Sequence, residues 1–291
     1  MKTKHAIRAA CAALLLGGLI FARTAHADDS TAPAGAPLWF NVGEELVYKL
    51  HWGVMGVGET RVTTEWVEED GRRLIAIRYR TRSNSFLDRI YRVDDTIEAI
   101  IEPTTFLPVR FTKTLNEGRY KTDEVTTFDH AAGKAYWRHR TKDRTKEFEI
   151  EPDTRDLVTF MYFMRQREFQ PGETAQYRVM ADEKVYDVTI NAGKVDTLKM
   201  DGFGRVRSIR ITPEASFEGL FVRKGKMTLW VSQDARRIAT RIQVTVPVAD
   251  IHINLQEVKG PGNDSWVRRD KSQSQVQAEA RAGAWEQTHV H

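Results

Sequence analysis

The sequence predicts a mainly β protein, in which one antiparallel curved sheet or open half-barrel carries one central helix packed on its concave face. Three observations favour this fold class. Apolar and polar residues alternate with a period of two in about 15 segments. Turn signals of the hairpin kind separate these segments, and a single segment has helical spacing instead. Large antiparallel sheets and open barrels have this pattern, whereas α/β folds alternate strands with crossover helices.

The composition of the 291-residue chain, 41% hydrophobic and 29% charged, excludes collagen, coiled coil and wholesale disorder. The net charge of +4 comes from 44 Lys and Arg against 40 Asp and Glu. The excess is Lys2, Lys4, Arg8 and Arg23, which all precede the first acidic residue, Asp28. The rest of the chain is therefore balanced in charge, so we expect no extended basic groove and no nucleic acid partner.

The N-terminal residues 1–27 have the features of a cleaved secretory signal peptide. A basic start precedes an apolar stretch, and the small residues Ala25 and Ala27 suit cleavage after residue 27. The stretch is shorter than the ~20 residues that span a bilayer, so we expect no transmembrane anchor after cleavage. The only cysteine, Cys11, leaves with this leader, which excludes disulfides and thiolate sites from the mature chain. The predicted location is the periplasm.

The predicted elements follow a flexible spacer at residues 28–38. We expect a single β-rich domain over residues 39–259, or alternatively two lobes, 39–152 and 172–259, joined by a helix at 154–169. Residues 260–291 have the composition of a disordered tail. Alternation predicts strands at 46–52, 61–67, 73–81, 91–101, 109–115, 120–128, 134–140, 146–150, 175–180, 185–191, 194–200, 206–212, 227–232, 238–246 and 251–258.

Three glycines between the first two strands, Gly53, Gly56 and Gly58, are a candidate phosphate loop at first sight. No Gly-Lys-Ser/Thr is present, and no helix N-terminus follows to receive a phosphate. Glycine lets a strand bend sharply and lets neighbouring strands approach closely. We therefore predict a glycine-rich hairpin or bulge here.

The one helical segment begins at a capping-box-like pair, Asp153 to Asp156, and ends before Pro171. Its apolar residues cover so wide a surface that the helix must be buried on more than one side. One interpretation is a helix that only completes the core. The other is that its side chains line an adjustable apolar cavity, since methionine fills irregular space. The candidate ligand-binding residues are Leu157, Phe160, Met161 and Met164.

The sequence carries no strong catalytic or metal-binding motif. Six histidines follow the leader without a His-Glu-x-x-His helix or a His-x-His strand pair, and no Gly-x-Ser-x-Gly elbow occurs. We therefore predict no metal ion and no cofactor. The remaining candidates are carboxylates at strand ends, Asp95, Asp129 and Asp234 among them. We expect them to form turns or salt bridges, and acid–base catalysis is the alternative.

Short motifs occur along the chain in a fixed order: Gly43-Glu44-x-Leu46-x-Tyr48, the Gly53/Gly56/Gly58 turn, Tyr91-Arg92-Val93-Asp94-Asp95, Phe106-Leu107-Pro108, Phe128-Asp129, Asp156-Leu157, Pro171-Gly172-Glu173 and Trp230-Val231-Ser232-Gln233-Asp234-Ala235-Arg236-Arg237-Ile238. Their order and spacing resemble a secreted bacterial family, the domain of unknown function 3108, over about residues 39–258. One departure is Arg237-Ile238-Ala239, where the family has Arg-x-Pro, and it puts only that turn in doubt. The resemblance implies a β-rich exported protein of Gram-negative bacteria with no established reaction. The motif residues to which it gives a structural role are Gly43, Glu44, Tyr48, Asp95, Asp129 and Asp234.

We expect a periplasmic, non-enzymatic module that binds a lipid or other apolar ligand between helix and sheet, in envelope biogenesis or maintenance. Two alternatives stay open at this stage. One is an envelope scaffold or assembly factor that binds a protein partner through a sheet edge or the tail. The other is a hydrolase that uses its carboxylates on envelope glycans.

Overall fold

The computed structural model describes residues 37–181, 183–214, 226–246 and 249–262, together with Trp266. The predicted signal peptide, most of the predicted spacer and nearly all of the predicted tail lie outside these residues. The described residues form one 15-stranded sheet. The strands are β1 (Glu45–Trp52), β2 (Met55–Glu69), β3 (Arg72–Ser83), β4 (Asp94–Glu102), β5 (Leu107–Glu117), β6 (Tyr120–Asp129), β7 (Lys134–His139), β8 (Arg144–Glu149), β9 (Arg155–Asp156), β10 (Thr174–Ala181), β11 (Lys184–Met200), β12 (Gly204–Glu214), β13 (Lys226–Ser232), β14 (Ala239–Val246) and β15 (Ala249–Lys259).

The strand order is β8-β7-β6-β5-β4-β3-β2-β1-β15-β14-β13-β12-β11-β10-β9. The first strand therefore lies inside the sheet, between β2 and β15, and two meanders run outward from it in opposite directions. Every neighbouring pair is antiparallel except β9 with β10, which is parallel. The sheet is large, curved and unclosed, which confirms the prediction of a mainly β protein.

The two ends of the sheet approach each other through side chains. Ala135 on β7, the strand beside β8, and Met180 on β10 belong to one buried cluster. Lys146 and Arg144 of β8 both form salt bridges with Glu183, in the turn between β10 and β11. Among the described residues, β8 pairs with β7 alone, so these contacts bring the ends together without joining them by a strand pair.

The described residues contain two short helices and one 3₁₀ turn, not the one helix that was predicted. Helix α1 spans Ser85–Tyr91, in a segment that was assigned partly to a strand. Helix α2 spans Leu157–Phe163 and continues into a 3₁₀ turn at Met164–Gln166. The predicted helix at 154–169 is therefore wrong at both ends.

The true start of α2 is set by Asp156, whose carboxylate accepts the backbone N–H groups of Val158 and Thr159. Arg155 and Asp156 themselves form the short strand β9 against β10. The hydroxyl of Thr154 accepts the N–H of Glu151 instead and so belongs to the preceding turn. The apparent capping box was misleading because a second acid, three residues later, was the actual cap.

Two strands that were predicted separately, 185–191 and 194–200, form the single strand β11. Its pairing with β12 shifts register between Ala192 and Val195. A bulge of this kind inserts extra residues without ending the strand, which explains why the break in alternation was interpreted as a turn.

The predicted glycine bulge is confirmed by the pairing of β1 with β2. The register shifts between Leu50 and His51, opposite Gly58 and Gly56, and Gly53 in the turn has φ of 57°. A Cβ atom on Gly58 would lie 2.4 Å from the backbone oxygen of Arg82 on β3. Only glycine allows β2 and β3 to approach so closely here.

The main core lies on the inward face of the sheet and draws side chains from both meanders and from α2. On β4, for example, Ile97 and Ile101 are buried in this core, whereas Glu98 points to the other face and binds Arg78. Trp266, the last described residue, is buried against Phe203, with the ring centroids 5.2 Å apart. The main core therefore draws on both segments predicted as lobes, and two smaller buried clusters lie outside it.

Candidate functional site

A small apolar cavity lies between the sheet and the end of α2, with a volume of about 50 Å³. Met161, Met164 and Phe169 line it from the helix side. The strands contribute aliphatic side chains from β1, β12, β13 and β14, which are Leu46, Ile211, Leu229, Val231 and Ala239. A wall of this composition favours an apolar occupant.

The structure places only two of the four predicted ligand residues at this cavity. Met161 and Met164 line it and are half-buried. Phe160 is buried against Tyr177, with ring centroids 5.3 Å apart, because it lies about 100° around the helix from its neighbour Met161. Leu157 packs on the edge of the core, one turn before the cavity.

One end of the cavity meets a buried ion cluster around Glu44, whose side chain is fully buried. Arg165 binds both carboxylate oxygens of Glu44, with N···O distances of 2.7 and 3.0 Å. Arg236 donates to the same carboxylate at 2.6 Å, and the hydroxyl of Tyr162 donates to it at 3.3 Å. This arrangement connects the residue before β1, the end of α2 with its 3₁₀ turn, and the turn between β13 and β14.

Backbone hydrogen bonds complete the cluster. Arg165 donates from Nε to the carbonyl of Arg236 at 3.1 Å. Arg237 donates to the carbonyls of Arg165 and Gln166 at 2.5 and 3.2 Å. These carbonyls lie at the end of α2 and its 3₁₀ turn, where the helix leaves them without partners of its own. The cluster therefore fixes the end of α2 against the sheet.

The carboxyl group of Glu44 is ionised in this environment. Burial alone would raise its pKa, but the guanidinium groups of Arg165 and Arg236 hold the pKa below its usual value. The pKa of Arg165 is raised by Glu44, although burial opposes this shift. Both partners are thus charged, and the cluster is a true ion pair network rather than a set of neutral hydrogen bonds.

The three candidate catalytic carboxylates lie on different elements, and each has its own local partners. Asp95 on β4 accepts the N–H of Asn116 at 2.7 Å. Asp129 accepts the N–H of Ala132 at 2.9 Å in the turn after β6. Asp234 accepts the hydroxyl of Ser232 at 2.6 Å in the turn after β13. The structure does not bring them together into a paired acid and base.

A carboxyl pair that the sequence did not indicate does occur in the core. Asp95 hydrogen bonds with Glu117, and both side chains are almost fully buried. Burial raises the pKa of Asp95 to about 6, more than the N–H of Asn116 lowers it. Because both carboxyl groups are almost fully buried, we interpret them as a structural pair.

A larger groove of about 710 Å³ crosses strands β4 to β8 on the face opposite the main core. Most of its charged side chains are already engaged by partners. Arg110 binds Glu69 with both guanidinium nitrogens, at 2.7 and 2.8 Å, and Lys146 binds Glu183. The groove is therefore a wide polar surface, in contrast to the apolar cavity beside α2.

Within the described parts of the chain, no group of three or more His, Cys, Asp or Glu side chains is placed to hold a metal ion. No helix in these parts is long and apolar enough to cross a membrane.

A family model described as "Protein of unknown function (DUF3108)" matches residues 47–256. The chain belongs to this family. A similar fold occurs in the crystal structure of a beta-barrel-like protein of domain of unknown function DUF1849 from Brucella abortus, with a TM-score of 0.53 and 12% identity. The match covers 75% of this chain and 97% of that chain. At this identity the likeness concerns the fold alone. No curated protein matches the chain significantly.

In this DUF3108 domain, two residues of the motif near the start of β1 belong to the site. Glu44 is the centre of the ion cluster, and Tyr48 lines the cavity. Gly43 has φ of 104°, a conformation that favours glycine, and its N–H binds the carbonyl of Thr64. Sequence reasoning missed Arg165, because an arginine beside an apolar helix has no distinguishing local pattern. It quoted Arg236 and Arg237 as part of a motif but gave them no role at the site.

Proposed function

We propose that the protein is a non-enzymatic module of the periplasm that binds the apolar chain of a lipid between α2 and the sheet. Its role would be in the biogenesis or maintenance of the bacterial envelope. The observation that carries the proposal is the apolar cavity, walled by Met161 and Met164 on one side and by aliphatic strand residues on the other. In this proposal α2 is the central helix that fills the concave face of a half-barrel.

The size of the cavity sets a condition on this function. A volume of about 50 Å³ is far below the roughly 300–1,000 Å³ of typical small-molecule sites. An acyl chain therefore enters only if Met161 and Met164 move aside. Both are half-buried and unbranched, with three rotatable bonds each, so they can do so at little cost. Each methylene then buried contributes about 0.8 kcal/mol.

Native mass spectrometry tests the proposal on protein that is exported and purified without detergent. We expect an adduct that organic extraction removes and that identifies the ligand. The Met161→Gln, Met164→Gln double variant should carry less adduct, because polar amides in an apolar wall oppose chain binding. Val54→Gln is the matched control, since Val54 is fully exposed. A bare protein mass in the wild type would contradict the proposal.

A second candidate function, a scaffold that binds a protein partner, is favoured by the edge of the sheet at β8. Among the described strands, β8 pairs with β7 alone. Most of β8 is exposed, and an edge strand can accept a further strand from a partner. Recovery of one stoichiometric partner, with no extractable lipid, would favour this function over the first.

A further inference from the structure

The cavity beside α2 has a polar end that the proposed function does not explain. We infer that the bound chain carries an anionic headgroup, a carboxylate or a phosphate, whose oxygens accept hydrogen bonds from Tyr48, Tyr79 and Arg237. This inference names the ligand class of the site and so rests on the proposed function.

The two tyrosines supply the first argument. Tyr48 on β1 and Tyr79 on β3 both line the cavity. Tyr48 is only 6% exposed. Within the described residues, neither hydroxyl has a hydrogen-bond partner, although Tyr162 beside them donates to Glu44. Two hydroxyls on the wall of one cavity are therefore free to donate to an occupant, which favours a group with acceptor oxygens at this end.

The charge at this end of the cavity supplies the second argument. Arg165 is neutralised by Glu44, but Arg237 donates to backbone carbonyls and forms no salt bridge with any described residue. Its guanidinium group therefore gives the cavity wall an uncompensated positive charge. An anionic group placed here gains a charge-assisted hydrogen bond, whereas an ammonium group would be repelled.

Protonation makes all three groups donors. Burial raises the pKa of Tyr48 and of Tyr79 above the usual value, so both hydroxyls keep their protons at neutral pH. Arginine has no acceptor atom. Two O–H groups and one guanidinium group together require several acceptor oxygens. An ionised carboxylate or phosphate headgroup supplies these oxygens. A long-chain alcohol offers one oxygen without charge.

The test is displacement of a neutral fluorescent reporter, N-phenyl-1-naphthylamine, from the delipidated full chain. The competitors share one chain and differ in headgroup: dodecanoate, dodecyl phosphate, dodecanol and dodecylamine, each below its micellar concentration or its solubility limit. We expect an anionic competitor to displace the reporter at a concentration about tenfold lower than dodecanol needs. Dodecylamine should be the weakest competitor of the four. The better of dodecanoate and dodecyl phosphate identifies which anion the site prefers.

Removal of the hydroxyls isolates their contribution. The Tyr48→Phe, Tyr79→Phe double variant should lose most of the preference for the anionic competitor over dodecanol. Dodecanol should still displace the reporter from this variant at the same concentration as from the wild type. Tyr136→Phe, at an exposed tyrosine of the outer face, should keep the wild-type preference. If the double variant is unstable by thermal unfolding, the single Tyr79→Phe variant, at a half-buried position, takes its place.

The outcomes separate the two levels of the proposal. If all four competitors displace the reporter equally, or if dodecylamine is the strongest, the headgroup inference is wrong and the apolar site stands. A preference that survives removal of both hydroxyls overturns the role of the tyrosines. If the reporter does not bind, or no competitor displaces it, the proposed function itself fails.

Discussion

Glu44 shows how one buried charge can organise a site. Its carboxylate holds Arg165 and Arg236, which come from segments 121 and 192 residues away along the chain. Removing two charges from water costs several kcal/mol each, and only close ion pairing with hydrogen bonds to the remaining donors offsets that cost. The cluster therefore contributes mainly by fixing where α2 ends, and with it the shape of the cavity.

Loss of this carboxylate should destabilise the protein strongly. We expect Glu44→Gln to lower the free energy of unfolding by about 3 to 5 kcal/mol, because it leaves buried guanidinium charge without its anion. Urea titration followed by circular dichroism measures the change. Glu45→Gln, next along the strand, is the control. Glu45 pairs with Arg61 and Lys259 at the surface and should cost less than about 1 kcal/mol. Equal effects would show that the cluster has no special stabilising role.

Asp95 gives a prediction for pH. Burial raises its folded pKa from 3.8 to about 6, so the folded state binds more protons than the unfolded state between these values. The protonated carboxyl group of Asp95 therefore makes its full contribution to the free energy of unfolding below pH 4, and this contribution is lost as the pH rises through 6. Asp95→Asn should therefore be more stable than the wild type at pH 7.5, by about 1 to 3 kcal/mol, and similar to it at pH 4.

Denaturant titrations across this pH range check the prediction for Asp95. Burial also raises the pKa of Asp156 to about 6, so Asp156 titrates in the same pH range. The variant should therefore keep part of the wild-type slope of the free energy of unfolding against pH. Asp187→Asn, at an exposed carboxylate, controls for the change in net charge. A variant with the full wild-type slope would contradict the assignment.

The contribution of single residues could be predicted only where chemistry was local. The motif around Gly43 and Tyr48 was identified in the sequence. Of the four residues expected to line an apolar cavity, Met161 and Met164 do so, and ligand binding there stays a prediction. The partners of Glu44 could not be predicted, since ion pairs between distant segments leave no periodic or spaced signal.

At the scale of elements, the bend of β2 depends on a close approach of backbones. A Cβ on Gly58 would meet the carbonyl oxygen of Arg82, and backbone of a paired strand cannot move away easily. Gly58→Ala should lower the free energy of unfolding by about 1 to 3 kcal/mol. Gly56→Ala is the matched control, since nothing lies within 4 Å of its new methyl group. Thermal unfolding of the two variants measures the difference, and similar melting temperatures would refute it.

Elements were predictable where alternation was long and uninterrupted. Strands such as β3 and β6 were placed within a few residues of their ends. Helix α1 was missed because its seven residues begin at an Asn cap and end against the start of β4, too short for a helical period to emerge. The start of α2 was misplaced because both Asp153 and Asp156 could have been the cap, and only Asp156 is.

At the scale of the whole molecule, the sequence predicted a curved antiparallel sheet but not its strand order. Serial hairpins indicate which neighbours pair, and most neighbours in the chain are neighbours in the sheet. The pairing of β1 with β15 joins segments about 200 residues apart, and no local turn specifies it. It depends on matching inward faces, such as Leu50 opposite Ile253, which emerge only once both meanders exist.

This central pair predicts how the protein unfolds. Because β1 and β15 join the two meanders inside one sheet and one core, neither half can lose structure without exposing the other. We expect a single transition, with far-UV circular dichroism and tryptophan fluorescence coinciding, since Trp137 and Trp230 report from opposite meanders.

Ile253→Ala, at a fully buried position of β15, should shift both signals together and cost about 2 to 5 kcal/mol. Ile90→Ala, at an exposed position, should shift neither. Two separate transitions would show that the meanders are independent lobes, and the shape of the apolar cavity between them would then depend on how the lobes dock.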